Sequence, residues 1–372
     1  MFTPGNNLFS FSRQQQEKGN SCSYINISNG NWRFNSIIAL GNPIVDISAE
    51  VDKESLEKYN LEWGGTVFAN QNNVGFFTDL ESRPQVTYIP GGSIQNTLRV
   101  AAWRLSKEFG KNNQFSLTML GAVGEDKYKE KIMNALKMAG VTPLLQEIQN
   151  SETSRCGVAI YKKERCLLPQ IRASNCLSMD FIKKNREKID DNNALLIEGY
   201  FLQEKFDICK ELCQDFSENE KFIILTLSSV FIVKAHKEKV QEISNYANMI
   251  VGNMDEFREF ADTSGENYRE IFEKAANMLS RKNDRLFVIT NGKKPTLVAK
   301  YDYDKENMEN ILYSYTDEMN FDEIVDLNGA GDAFLGGFLA QYMKGSKLTE
   351  CCRVGNDVAS IILKNVGCTF QP

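Results

Sequence analysis

Residues 326–334, Asp-Leu-Asn-Gly-Ala-Gly-Asp-Ala-Phe, combine two glycines with two carboxylates at the start of an apolar stretch. Apolar side chains then recur at helical spacing until Gly345, so a loop is predicted to become a helix at Gly329 and Gly331. Glycine lets an anion approach bare backbone amides, and the first turn of a helix has unpaired N–H groups and a partial positive charge. This stretch therefore predicts a phosphate-binding helix N-terminus.

Asp332 falls in the first turn of that helix, beside the predicted phosphate. In phosphoryl transfer to an alcohol, a carboxylate in this place would orient the hydroxyl and accept its proton. The alternative is an acidic residue that only stabilises the helix dipole, with glycines that only make a turn. The stretch alone leaves both interpretations open.

A second glycine loop, residues 90–96, repeats this arrangement earlier in the chain. Ser93 can cap a helix whose apolar face includes Leu98 and Leu105, and Asn96 lies in its first turn. An ordinary capped helix is the alternative, because a lone Gly-Gly-Ser is a weak signal. If the first loop binds phosphate, Asn96 would face the same ligand.

The elements that must position these loops alternate between short apolar strands and amphipathic helices. This pattern predicts an α/β fold with a mostly parallel sheet and helices on both faces. In such sheets, ligands bind at the carboxyl ends of the strands. The predicted strands end close to Asn42, Asn253, Thr290 and the glycine loop at 329, so these polar groups are expected to cluster.

Composition excludes several classes of protein. The chain has 372 residues, and its net charge of −6 argues against sequence-independent nucleic-acid binding. It has no apolar run long enough to cross a bilayer, and a single histidine rules out a His-rich metal site. Its nine scattered cysteines favour reduced thiols in the cytosol.

Two common nucleotide-binding motifs are missing from the sequence. No P-loop motif occurs, and Phe334 at the third glycine position of the Gly-x-Gly-x-x-Gly fingerprint disfavours a dinucleotide-binding fold.

Taken together, the motifs resemble the ribokinase-like (PfkB) family of carbohydrate and nucleoside kinases. Residues 326–332 match the D-T-x-G-A-G-D signature with leucine at its threonine position, residues 91–96 resemble the N-terminal signature, and residues 253–256 look like the N-x-x-E motif. Residues 41–48 and 367–370 are most similar to the eukaryotic branch that phosphorylates adenosine. The resemblance extends from about residue 36 to the end of the chain.

This resemblance implies a role for each matching residue. Asp332 would be the base, the amides of Gly329, Ala330 and Gly331 the anion hole, and Arg165 a lid arginine that closes over the phosphates. The other implied groups bind substrate (Asn42, Asp46, Phe68, Gly92, Ser93, Asn96, Leu167, Phe201), the ATP side (Asn253, Thr290, Gly292, Asn328, Asn356) and Mg²⁺ through water (Asn253, Glu256).

The resemblance also implies a ribokinase-like domain over residues 36–372, with a small β-rich lid formed by about 50–71 and 154–172. Residues 1–35, rich in Asn, Ser and Gln, are predicted to be a flexible extension. The implied activity is ATP-dependent phosphorylation of the adenosine 5′-hydroxyl with Mg²⁺, and activation by K⁺ is left open. We expect a monomer in the cytoplasm that binds neither membrane nor nucleic acid, and a second location in the nucleus is left open.

Two alternatives are a related kinase acting on another nucleoside or a sugar, and a nucleoside-binding protein without activity. The intact Asp332 and glycine loop argue against the second, because a binding protein has no need of a base. Departures from the family pattern at Thr66, Pro169, Leu327 and Asn356 leave the nucleobase preference open.

Overall fold

The computed structural model describes residues 25–27, 31–62, 64–110, 113–161, 164–280, 283–316 and 323–370. The strands are β1 (Ile25–Ile27), β2 (Asn31–Arg33), β3 (Ser36–Leu40), β4 (Ile44–Glu50), β5 (Thr87–Gly91), β6 (Ser116–Gly124), β7 (Thr142–Ile148), β8 (Arg155–Tyr161), β9 (Glu164–Gln170), β10 (Ala194–Glu198), β11 (Phe222–Thr226), β12 (Met249–Asn253), β13 (Arg285–Thr290), β14 (Thr296–Asp302), β15 (Asn307–Met308) and β16 (Leu312–Ser314). The helices are α1 (Lys53–Lys58), α2 (Phe76–Glu81), α3 (Ser93–Phe109), α4 (Lys127–Ala139), α5 (Met179–Lys184), α6 (Arg186–Asp190), α7 (Gly199–Glu218), α8 (Val230–Ala235), α9 (Lys237–Ser244), α10 (Met254–Phe260), α11 (Tyr268–Asn277), α12 (Ala330–Met343) and α13 (Leu348–Leu363).

The central sheet has the strand order β15-β14-β13-β12-β11-β10-β3-β6-β7, and β16 also pairs with β14. The strands from β7 to β13 along this order run parallel, whereas β14, β15 and β16 are antiparallel additions at one edge. The carboxyl ends of β3, β10, β12 and β13 therefore share one edge of the sheet. This edge is where ligands bind in parallel α/β sheets.

Side chains on the central strands alternate between two apolar layers. Ile37 and Ala39 of β3 pack in one layer with α3, α4, α12 and α13, and Ile38 and Leu40 pack in the other with α5 to α11. A strand buried on both faces reads as a continuous apolar run, because successive side chains point to opposite faces. The predicted parallel sheet with helices on both faces is confirmed.

A smaller, separate sheet of four described strands, in the order β5-β4-β8-β9, provides the β-rich lid. The hairpin of β8 and β9 lies inside the predicted lid segment 154–172. The other segment, 50–71, contains α1 and then runs along β9, where Val67 N donates to Leu167 O at 2.9 Å and Leu167 N donates to Gly65 O at 2.9 Å. The domain boundaries stay predictions.

Two short strands are described within the predicted N-terminal extension, whose flexibility stays a prediction. Strands β1 and β2 pair antiparallel as a short hairpin, while residues 1–24 and 28–30 lie outside the described residues. The strands β14 to β16 were not predicted: β15 and β16 have only two and three residues, and the apolar run of β14, residues 297–299, covers three positions and is followed by Lys300. No described helix is both long and apolar enough to span a membrane.

Candidate active site

Two helix N-termini converge on the Asp332 carboxylate. Ser93 Oγ donates to Asp332 Oδ1, and Asn96 Nδ2 donates to Oδ2 at 3.0 Å, both from the first turn of α3. The Thr97 hydroxyl also donates to the Asp332 backbone oxygen at 3.2 Å. Both predicted glycine loops thus meet at one point, and Asp332 is held by side chains of the neighbouring helix. A residue that served only its own helix dipole would need none of these bonds.

The start of α12 is open to an anion. Gly329 precedes the helix with a φ of +78°, a left-handed conformation that favours glycine, and no side chain among the described residues caps its first turn. A Cβ placed on Gly331 would meet no described atom within 4 Å. Uncapped first-turn amides beside open space are the arrangement that binds phosphate at a helix N-terminus. The start of α12 is thus open where Gly329, Ala330 and Gly331 are predicted to form the anion hole, and the hole itself stays a prediction.

Burial raises the pKa of Asp332, and the hydrogen bonds from Ser93 and Asn96 act in the opposite direction. A carboxylate with a raised pKa is a stronger base than a free aspartate. Asp332 is half-buried, so a ligand can still reach it. The arrangement can therefore hold a weakly acidic hydroxyl and accept its proton.

The substrate side of the site is built on the end of β3 and on β4. Asn42 is buried, and Asp46 lies so close to Gly91 that a Cβ there would be 2.4 Å from the Asp46 carboxylate. Gly92 has a φ of +91°, and a Cβ on it would lie 2.3 Å from the Asn42 backbone oxygen. Only glycine permits this close approach between β5 and the loop after β3.

Burial raises the pKa of Asp46 to about 7, and repulsion from Asp326 and Asp332 adds to the effect. The Arg165 guanidinium lowers the pKa of Asp46 in part. Three carboxylates and one guanidinium therefore interact at the floor of the site. A ligand hydroxyl that donates to Asp46 would favour its ionised form.

Arg165 lies at the junction between the lid and the glycine loop. Its Nε is 3.0 Å from Asp326 Oδ1, with the Arg165 side chain 12% exposed and that of Asp326 1% exposed. Asp326 also accepts from Asn328 N at 3.0 Å and from Gly367 N at 2.6 Å. The lid arginine is thus bonded to the first carboxylate of the signature loop, and its predicted contact with phosphate stays a prediction.

The three apolar residues predicted to bind substrate are placed differently from one another. Phe68 is 51% exposed, with its ring centroid 6.4 Å from that of Phe231 at the start of α8, so an aromatic pair joins the lid to the main domain. Leu167 on β9 is half-buried beside it. Phe201 of α7 is only 2% exposed and packs in the core layer that contains Ile38 and Leu40, whereas its neighbour Tyr200 is 41% exposed. Of these three predicted substrate-binding residues, Phe68 and Leu167 are thus the accessible ones.

A cavity of about 280 Å³ brings together three residues predicted for the ATP side. Asn253, Thr290 and Gly292 line it from the ends of β12 and β13. Arg258 and Lys294 line it too, and sequence reasoning missed both. Each follows a strand end by only a few residues, and a cation placed there is a signal for a phosphate-binding edge. Asp255 lines the cavity as well and pairs with Arg258 at 3.2 Å. The cavity therefore offers cationic and amide groups to a nucleotide, with one carboxylate beside them.

Asn253 and Glu256 form a capping box at the start of α10. Asn253 N donates to Glu256 Oε2 at 2.9 Å, Asn253 Nδ2 donates to Oε1 at 2.7 Å, and Glu256 N donates to Asn253 Oδ1 at 2.9 Å. Burial raises the pKa of Glu256 to about 7, and repulsion from Asp255 and Asp332 adds to it. Within the described ranges, no cluster of three or more potential metal ligands occurs. With both oxygens of Glu256 bonded to Asn253, this pair fits a metal through water rather than directly.

The other two predicted ATP-side residues have structural partners. Asn328 is half-buried, and its N–H donates to Asp326. Asn356 is buried, accepts from Thr296 Oγ1 at 3.0 Å and donates to Ser314 Oγ at 3.4 Å. Its side chain thus joins α13 to β14 and β16, and its predicted contact with the nucleotide base stays a prediction.

Glu198 is the site carboxylate that sequence reasoning missed. It ends β10 with 1% exposure and accepts from Asn42 N at 2.7 Å and from Asn42 Nδ2 at 2.8 Å. A signal was available, because Glu198 directly follows the apolar run 194–197 and precedes a glycine. An acidic residue at the carboxyl end of a buried parallel strand lies on the ligand-binding edge.

Comparisons with known proteins agree with this geometry. The profile described as "pfkB family carbohydrate kinase" matches residues 60–372. Adenosine kinase 2 of Arabidopsis thaliana is 30% identical over 90% of this chain and 95% of its own length, and the Dictyostelium discoideum adenosine kinase is 30% identical over 90% and 96%.

Solved structures give the same result. The Anopheles gambiae adenosine kinase matches with a TM-score of 0.79 and 28% identity over 90% of this chain and 97% of its own. The Trypanosoma brucei brucei adenosine kinase matches with a TM-score of 0.80 and 28% identity over 90% and 99%. The ribokinase-like fold and the family resemblance read from the motifs are confirmed, and the chain belongs to the pfkB family of carbohydrate kinases.

Proposed function

We propose that this protein is an adenosine kinase, which transfers the terminal phosphoryl group of ATP to the 5′-hydroxyl of adenosine and gives AMP and ADP. The observation that carries the proposal is the position of Asp332. Its carboxylate is held by Ser93 and Asn96, and it lies in the first turn of the uncapped helix α12. A base beside an anion site is what transfer to an alcohol requires.

Each side of Asp332 would hold one substrate. Asn42 and Asp46 would bind the ribose hydroxyls, and the lid residues Phe68 and Leu167 would cover the adenine ring. The cavity with Arg258 and Lys294 would hold the ATP phosphates on the other side. The transferred group would then lie at the α12 amides, where developing charge is stabilised in the transition state.

The catalytic step needs little covalent chemistry from the protein. As the bond to phosphorus forms, the 5′-hydroxyl proton passes to Asp332, and the electrons of the breaking bond stay with ADP. A loose transition state is stabilised mainly by alignment and by charge, so a carboxylate is a sufficient base. Closure of the lid would exclude water, which would otherwise compete with the alcohol.

The similar proteins support both the acceptor and the donor. The two relatives at 30% identity are named adenosine kinases. The Anopheles gambiae structure is a complex with P1,P4-di(adenosine-5) tetraphosphate. That ligand carries an adenosine at each end of a phosphate chain, which suits a site with one nucleoside on each side of a phosphate-binding helix.

ATP would be the co-substrate, and Mg²⁺ would supply charge neutralisation at its phosphates. Asn253 and Glu256 would hold the metal through water, because Glu256 already accepts from Asn253 at both oxygens. Removal of divalent metal with a chelator is expected to abolish turnover and to leave adenosine binding intact. Activation by K⁺ is tested by exchanging it for Na⁺ at constant ionic strength.

A panel of acceptors with labelled ATP tests the proposal. We expect adenosine to be phosphorylated with the highest kcat/KM among adenosine, guanosine, inosine, cytidine, ribose and fructose. A sugar or another nucleoside that exceeds adenosine would assign the chain to a different kinase of this family. Binding of adenosine without transfer to any acceptor would favour a silent binding protein.

We also expect a monomer with a cytoplasmic location, with the nucleus as a second compartment. Sedimentation velocity tests the first expectation, and microscopy of a tagged chain tests the second.

A further inference from the structure

Glu198 is a buried carboxylate for which phosphoryl transfer has no direct use. Both of the Asn42 donors, the backbone N and Nδ2, point at its Oε1, at 2.7 and 2.8 Å. Its Oε2 accepts from Ile94 N at 3.4 Å, in the first turn of α3. One side chain at the end of β10 thus ties the loop after β3 to the start of the helix that carries Ser93 and Asn96.

These bonds fix which way the Asn42 amide points. The backbone N–H of Asn42 can only donate, so Oε1 of Glu198 is an acceptor whether or not the carboxyl group is protonated. An acceptor that also faces the Asn42 side chain selects its NH₂ group, and the carbonyl Oδ1 turns away. Glu198 therefore decides the orientation of a side chain that could otherwise flip.

The carbonyl oxygen of Asn42 is a buried hydrogen-bond acceptor without a donor among the described residues. Asn42 is 6% exposed, and its Oδ1 has no hydrogen-bond partner among the described residues. A buried, unsatisfied acceptor is costly, and it is relieved by a ligand that donates a hydrogen bond. The matching ligand group is a hydroxyl or an amino group.

We propose that Glu198 is a positioning residue for substrate specificity: it holds Asn42 so that Oδ1 accepts a hydrogen bond from a hydroxyl of the substrate. This proposal rests on the proposed function, because it assumes that the nucleoside occupies the pocket beside Asn42. It assigns Glu198 an effect on substrate affinity through Asn42 and none on the proton transfer to Asp332. Burial raises the pKa of Glu198 to about 7, because the charged form of the carboxylate is disfavoured away from water.

A double-mutant cycle tests the pairing. Glu198→Ala is expected to raise KM for adenosine at least about tenfold and to change kcat less than threefold, while Glu198→Gln, which keeps an acceptor for Asn42, stays within about threefold of the wild type in both. In an Asn42→Ala background, Glu198→Ala is expected to add less than about twofold to KM. An equal effect of Glu198→Ala in both backgrounds would overturn the proposal.

A second pair of variants covers the case in which Glu198→Ala fails to fold. Glu198→Asp withdraws the carboxylate from Asn42 by one methylene and is expected to raise KM for adenosine, whereas the same change in an Asn42→Ala background should add less than about twofold. An equal rise in both backgrounds would contradict the proposed contact. If the wild type does not phosphorylate adenosine, the proposed function fails; if it does and Glu198→Ala keeps its KM, only this inference fails.

Discussion

Replacement of Asp332 with Asn separates a catalytic base from a residue that only stabilises the helix. The variant keeps the shape of the side chain, and its one carbonyl oxygen still accepts from Ser93 or from Asn96. It loses the base and the charge, and its NH₂ group faces the second donor. We expect it to fold and to bind adenosine and ATP with near-normal affinity.

The size of the effect follows from these contacts. Proton acceptance by a placed carboxylate contributes about 10²–10⁴ in rate, or about 3–5 kcal/mol of barrier. Loss of one hydrogen bond costs about 1 kcal/mol of stability, and removal of a charge that burial disfavours offsets part of it. A residue that acted only on the helix dipole would contribute about 0.3–1 kcal/mol to stability and nothing to kcat. The two roles therefore differ most in turnover.

Single-turnover measurements with saturating adenosine and ATP, combined with thermal unfolding, provide the assay. The matched control is Asp180→Asn, because Asp180 is also in the first turn of a helix but is exposed and outside the site. We expect kcat to fall at least about a hundredfold in Asp332→Asn and to be unchanged in Asp180→Asn. A folded Asp332→Asn protein with kcat within tenfold of the wild type would refute the assigned base.

The remaining predictions concern the groups around this base. Loss of one ribose hydroxyl leaves the Asp46 carboxylate without that hydrogen-bond donor. The kcat/KM for 2′-deoxyadenosine should therefore be lower than for adenosine by a factor that corresponds to about 1–3 kcal/mol of transition-state free energy, and equal values would remove Asp46 from the ribose site. Arg165→Ala leaves the buried Asp326 carboxylate without its ion-pair partner. The free energy of unfolding measured in urea should therefore fall by about 3–5 kcal/mol, and by less for Arg165→Lys. An unchanged free energy of unfolding would show that the pair does not contribute to stability. Burial raises the pKa of Asp46 to about 7, so Asp46 takes up a proton as pH falls through 7 and KM for adenosine should rise. Arg165 lowers the pKa of Asp46, so Arg165→Ala should move this rise in KM to higher pH. Lys294→Ala should raise KM for ATP at least about tenfold and spare KM for adenosine, whereas the exposed Lys305→Ala should change neither.

Local signals in the sequence were enough to predict the elements around the site. Glycines at 329 and 331 predicted a loop and a helix N-terminus with Asp332 in its first turn, and the structure has this arrangement, while the role of Asp332 as a base stays a prediction. Apolar runs followed by polar residues predicted the strand ends at Asn42, Asn253 and Thr290. These features depend on residues that are close in sequence, so a pattern of spacing can reveal them.

Contacts between distant segments could not be read in this way. Arg165 and Asp326 are separated by most of the second half of the chain, and only the folded lid brings them to 3.0 Å. Nothing local indicates that Phe201 faces the core while Tyr200 is exposed, because a helix that starts at a strand end can be rotated either way. Two oxygens of Glu198 meet Asn42 and Ile94 through tertiary packing alone.

Product analysis is the direct test of whether the protein transfers phosphate from ATP to the 5′-hydroxyl of adenosine. The protein is incubated with Mg²⁺, ATP labelled in its terminal phosphate, and either adenosine or 5′-deoxyadenosine, and the products are resolved by phosphorus NMR and mass spectrometry. We expect AMP esterified at the 5′ position in an amount equal to ADP, and no transfer to 5′-deoxyadenosine. Label released only as inorganic phosphate, or an ester formed on 5′-deoxyadenosine, would contradict the proposed transfer to the 5′-hydroxyl.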